Sequence, residues 1–187
     1  MLDVRKMIRT KLSIGILGLV LLGCAEKDTT FLISEDSVGP LTKTTPVEEL
    51  RTIFAQDSVV QDTSKITMGS KAEKIKIYEK GGKHLLTLTP NADSIPTIGN
   101  VRIFDTRYLS ERGIGLNSTF QDIQNNYGIK KIVTTLNSIV IFPKNSNLYF
   151  TIDKEELPSN LRYSATTIEA VQIPNTAKVK YLMLGWE

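Results

Sequence analysis

75-IKIYEKGGKHLLTLTP-90 alternates apolar and polar side chains, halts at Gly81-Gly82 and alternates again. A period of two marks strands with one buried face, and Gly-Gly is a turn signal because both residues tolerate positive φ. A two-residue turn at 81–82 sets Ile75 opposite Leu88 and Ile77 opposite Leu86, all on one face, and places His84 across from Glu79. The chain repeats this pattern without a gap at 139-IVIFPKNSNLYFTIDK-154. There Asn145-Ser146 take the turn positions, and Ile139 with Ile152 and Ile141 with Phe150 form the equivalent pairs.

Each hairpin has matching flanks. Ahead of it, Thr45–Phe54 aligns with Ser118–Tyr127 as a helix start: Val47, Leu50 and Phe54, like Phe120, Ile123 and Tyr127, recur at helical spacing and present one apolar stripe. Thr45 with Glu48, and Ser118 with Gln121, fit a capping box, in which a hydroxyl and a long polar side chain satisfy orphan backbone N–H groups. Behind it, 94-SIPTIGNVRIF-104 aligns with 172-QIPNTAKVKYL-182 as a further strand. Three collinear blocks predict an α+β fold: an internally duplicated helix–strand–strand–strand unit over 31–110 and 111–187, compact as one domain, its antiparallel sheet covered by helices on one side. This plan resembles the tandem α–β–β folds of small exported bacterial proteins such as the BamE lipoprotein and β-lactamase inhibitor protein. The Val38-Gly39-Pro40-Leu41 run before the first helix resembles the YfeY-type lipoproteins.

The amino-terminal residues specify an address. Arg5, Lys6, Arg9 and Lys11 precede an apolar run from Leu12 to Gly23, whose one polar side chain is Ser13. Twelve residues are too few to cross a bilayer core, which takes roughly 20, so the pattern is that of an export signal. Met7 is a second possible start that leaves the same mature chain. The run ends in Leu21-Leu22-Gly23-Cys24, which resembles the lipobox of bacterial lipoproteins. The resemblance implies cleavage between Gly23 and Cys24, a diacylglyceryl group on the Cys24 thiol and an acyl chain on the new amino terminus, with 24–30 as a tether. Ala25 follows the cysteine where enterobacterial inner-membrane lipoproteins carry Asp, so the expected site is the outer membrane. Glu26-Lys27-Asp28 resembles the charged export tags of surface lipoproteins in the Bacteroidota.

Loss of residues 1–23 removes four basic residues and Asp3, which takes the formal charge from +3 to zero. A basic footprint for nucleic acid is therefore not expected. Cys24 is the sole cysteine, so its lipidation leaves no thiolate nucleophile and no disulfide. No cofactor is expected beyond the covalent lipid.

Other candidate features have structural explanations. His84, the sole histidine, reads as half of a cross-strand pair with Glu79. Ser34-Glu35-Asp36 reads as a solvated turn, Tyr127-Gly128 as a left-handed helix cap, Gly113-Ile114-Gly115 as a turn, and Trp186 as core or edge packing. The second copy differs from the first by an insertion at about 153–171, which carries Leu157, Leu161, Arg162 and Tyr163. Loops on a rigid support carry binding more often than the support does. Leu161, Arg162 and Tyr163 are accordingly the candidate contact residues for an envelope protein. Two function classes stay open: a non-enzymatic interaction module using this loop or the sheet face, and a ligand-binding protein or hydrolase with a cleft between the two units.

Overall fold

A computed structural model describes residues 28–62, 74–164 and 166–186; the signal segment, Gly23 and Cys24 lie outside the described residues. The described chain opens with three two-residue strands, β1 (Leu32–Ile33), β2 (Ser37–Val38) and β3 (Leu41–Thr42). A 3-10 turn at Val47–Glu49 leads into the short helix α1 (Leu50–Ile53). Four strands follow, β4 (Ser58–Asp62), β5 (Lys74–Tyr78), β6 (His84–Pro90) and β7 (Ile98–Ile103), and then β8 (Leu109–Ser110). The second half runs α2 (Phe120–Asn126), β9 (Ile129–Thr134), β10 (Ser138–Pro143) and β11 (Leu148–Asp153). An insertion with the short helix α3 (Ser159–Arg162) then leads to β12 (Val179–Gly185).

β4 to β7 and β9 to β12 form one antiparallel sheet in the order β4-β5-β6-β7-β12-β11-β10-β9. The two four-strand runs meet through β7 and β12, with Leu182 opposite Ile103 and Leu184 opposite Val101. Their junction is thus a backbone ladder rather than a cleft. Each half has four strands, not three: β4 and β9 were not expected. Both are edge strands, paired on one side only, and neither SVVQD nor IKKIVT alternates cleanly.

Both hairpins keep the expected core pairs, Ile75–Leu88 and Ile77–Leu86 in one, Ile139–Ile152 and Ile141–Phe150 in the other. These side chains are all fully buried. They join one core with Leu50 and Phe54 of the first helical segment, Phe120, Ile123 and Tyr127 of the second, and Ile33, Val38 and Leu41 of the short strands. The helices therefore cover one side of the sheet, as the one-faced strands require, and the other side is open. Beneath this roof β3, β2, β1 and β8 make a small second sheet, in which β1 and β8 run parallel. The Val38-Gly39-Pro40-Leu41 run is its tight turn: Val38 and Leu41 are fully buried, and Gly39 sits at φ +57, where an added Cβ would lie 2.5 Å from the Thr30 carbonyl oxygen.

Several local expectations need correction. Thr45 does not cap the first helix with Glu48; Pro46 holds that position with no side-chain bond, and the Thr45 hydroxyl accepts instead from the Thr42 N–H at 3.1 Å. In α2 the capping box is one residue later, Thr119 with Asp122 in place of Ser118 with Gln121. The Asp122 carboxylate accepts from the Thr119 N–H at 2.8 Å, a bond that lowers its pKa. Tyr127 ends the helix in extended conformation (φ −132, ψ 140), and the chain passes into β9 without a left-handed cap.

His84 does not face Glu79. A bulge after Ile77 puts Tyr78 opposite His84, and Glu79 and Lys83 close a wider turn through an N–H···O bond of 2.8 Å. The remaining turns are as expected. Gly113 has φ +74 and donates its N–H to Ser110 O at 2.8 Å. The Ser34–Asp36 turn is tied to solvent-facing Lys43, which pairs with Asp36 at 2.6 Å. Trp186 is packed, with its indole N–H donating to Glu35 O at 2.9 Å.

Candidate binding surfaces

The insertion after β11 is pinned before it is exposed. Leu157, Ile168, Ile173 and Ala177 are buried in the core, so the loop cannot swing as a unit. Lys154, only 4% exposed, donates its ammonium to Ser164 O at 2.7 Å and ties the start of the loop to its middle. The three candidate contact residues then divide the work. Leu161 packs against the core, the Arg162 Nε–H donates to Leu157 O at 2.9 Å, and Tyr163 stands 94% exposed.

Opposite Tyr163 the β9–β10 turn presents Leu136, 86% exposed. Both line an open groove of about 1150 Å³ that also takes in Asn137, Lys154, Arg162 and Lys180. Leu136 escaped the sequence reading because nothing in the local pattern distinguishes a turn leucine from a strand leucine.

A second surface covers the open face of the sheet. Tyr78, His84 and Phe104 stack in a row, with ring centroids 4.8 and 3.9 Å apart. The Arg102 guanidinium continues the row, 4.8 Å from the Phe104 ring and 3.9 Å from the Tyr181 ring. On the far half Phe142 stacks on Tyr149 at 5.6 Å, with Lys131 above Phe142. Such contacts are worth about 0.5–1 kcal/mol each at exposed sites. These side chains occupy outward positions of strands, where the alternation that exposes the core says nothing about them.

This face contains the sole histidine. His84 Nε2 lies 3.0 Å from Leu86 O, which can only accept, so Nε2 carries the proton. Burial lowers the pKa of His84 below the usual imidazole value, and the nearby charges of Lys76 and Arg102 lower it further, against the bond to Leu86. A depressed histidine pKa means that the unfolded chain binds the proton more readily, so stability falls as pH drops below about 6.5. Denaturant midpoints measured between neutral and mildly acidic pH should show this slope, and His84→Gln should flatten it.

The fold has a counterpart among solved structures. It is similar to the uncharacterized protein YfeY from Escherichia coli, with a TM-score of 0.58 and 18% identity over 82% of this chain and 99% of that one. At this identity the likeness is one of fold. It agrees with the resemblance carried by the turn at Gly39. No protein-family model and no curated protein sequence matches the chain.

Proposed function

We propose that this chain is a lipid-anchored lipoprotein of the cell envelope, held at the outer membrane through Cys24, and that it works as a non-catalytic module binding another envelope protein. The leader and Leu21-Leu22-Gly23-Cys24 support the anchor. The two halves are two copies of one unit, and the insertion in the second copy is where the module acquired its contact surface. The observation that carries the binding role is the pair Leu136 and Tyr163, two large, nearly fully exposed side chains facing one groove whose floor is pinned to the core. Apolar side chains held out on a rigid support are the material of interface anchors, and tyrosine is enriched among them.

The test pairs stability with crosslinking in the native envelope. Tyr163→Ala and Leu136→Ala should leave stability within about 0.5 kcal/mol, as expected for exposed positions, while removing the crosslinked partner. An unchanged partner with both substitutions in place would refute the groove as the contact. Arg162→Ala is the poorer probe, since it also removes the bond that shapes the loop.

A further inference from the structure

The open face has a feature that a protein contact at the insertion does not explain. Across the sheet, residues in register form the row Lys76–Thr87–Arg102–Met183. One step along, Thr89 is opposite Asn100. Neighbouring strands are about 4.8 Å apart, so the Lys76 and Arg102 backbones stand about 10 Å from each other. The small Thr87 between them leaves a gap. The result is a groove of about 360 Å³ with threonine hydroxyls on its floor and Lys74, Lys76, Asn100 and Arg102 around it. Among the described residues no carboxylate lines it. On the same face, among the described residues, the Asp153 carboxylate is held by Lys180.

Arg102 is the centre of this arrangement. Its guanidinium is clamped between Phe104 and Tyr181, its Nε is covered and has no hydrogen-bond partner, and it forms no ion pair among the described residues. A guanidinium oriented in advance loses little freedom on binding, and its planar fork suits an oxyanion. The His84 ring is stacked on both Tyr78 and Phe104, and Phe104 also carries the Arg102 guanidinium, so the groove offers donors more than a platform for a sugar ring. Several cations with hydroxyl and amide donors suit a multiply charged anion better than a single carboxylate.

We propose that this groove is a binding site for a soluble phosphate ester, with Arg102 as the fork, Lys76 and Lys74 as flanking charges, and Thr87, Thr89 and Asn100 as neutral donors. The site is separate from the insertion groove and does not depend on the lipid anchor.

His84 borders the groove and is the sole histidine, so its imidazole signal in a tag-free protein reports occupancy without ambiguity. Residues 25–187 serve for the test, because among the described residues every buried apolar side chain lies between Ile33 and Trp186. Inorganic pyrophosphate and phenyl phosphate, added at constant ionic strength against a chloride control, should shift the His84 signal saturably and raise its pKa. Arg102→Gln should weaken binding about tenfold, the loss expected for a charge-assisted bond. Lys131→Gln, which removes a charge from the same face outside the groove, should change it by less than about twofold. Lys76→Gln is the second variant should Arg102→Gln fail to fold. Shifts that never saturate, or equal losses in Lys76→Gln and Lys131→Gln, would overturn the site. Binding to phosphatidylglycerol vesicles without binding to the soluble phosphates would overturn it in favour of a membrane contact.

Discussion

Replacing Arg107 by alanine should destabilise the protein more than any other single surface substitution, because it removes most of the partners of a buried carboxylate from one side. Asp105 follows β7 and is completely buried, with its carboxylate accepting from the Arg107 backbone N–H at 2.9 Å, from Arg107 Nε and Nη2, and from Lys83 Nζ at 2.9 Å. Arg107 also pairs with Glu79 at 2.8 Å, so one guanidinium fastens the β5–β6 turn to the segment after β7. Its ring-side contact is Phe31, 4.1 Å away. Removing its side chain leaves the buried carboxylate with Lys83 and the backbone N–H of residue 107 as its partners. Asp105→Ala should cost less, because the cations it releases are 38% and 55% exposed and can rehydrate.

The pH dependence separates the two variants further. Burial pushes the Asp105 carboxyl up, but the Arg107 and Lys83 bonds outweigh it and hold the pKa far below the usual carboxylate range. Stability from this group is therefore present above about pH 3.9 and is lost as pH falls through the folded-state value. Without the Arg107 side chain, only Lys83 and the backbone N–H of residue 107 oppose the burial of the carboxylate, so the depression weakens and acid should narrow the gap between Arg107→Ala and the parent chain. Thermal melts at neutral and acidic pH check this, with a drop of about 10 °C expected for Arg107→Ala at neutral pH. A loss under about 1 kcal/mol would mean that the cluster behaves as an exposed pair.

Cys24→Ser should block both lipidation and cleavage after Gly23. Each buried methylene contributes about 0.8 kcal/mol to membrane affinity, so the chains carried by a lipidated cysteine dominate attachment. No helix among the described residues is long and apolar enough to cross a membrane. The measurement is detergent-phase partition together with the mass of the mature amino terminus. A serine variant still cut after Gly23 and retained in the detergent phase would refute the anchor.

The strand pairs of both hairpins were legible because burial on one face imposes a period of two, and Ile75, Ile77, Leu86 and Leu88 obey it. The β1, β2, β3 and β8 strands were not, since two residues cannot display a period. The helix caps were displaced because Pro46 and Thr119, rather than Thr45 and Ser118, sit where the backbone turns into the helix. The shift of His84 from Glu79 to Tyr78 came from a single bulge, which alternation cannot reveal. Of the candidate contact residues, Tyr163 is almost fully exposed, whereas Leu161 and Arg162 mainly shape the loop. Arg102 and its ring neighbours went unnoticed because their arrangement depends on which strands become adjacent, and β7 and β12 are 76 residues apart at their closest ends.

That adjacency also sets an order of assembly. β12 is the last strand among the described residues and lies in the middle of the sheet, bonded to β7 on one side and β11 on the other. A chain emerging amino terminus first can build β4 to β7 and then β9 to β11, but each partial sheet then has an unpaired inner edge, β7 or β11, besides its outer one, and unpaired edges invite association with other chains. Residues 179–185 close both edges in a single step. Until they arrive, the halves have no ladder between them. A nascent or clipped polypeptide stopping short of Val179 would therefore be two adhesive fragments rather than a slightly shorter domain, and it would be recognisable to chaperones and proteases as unfinished.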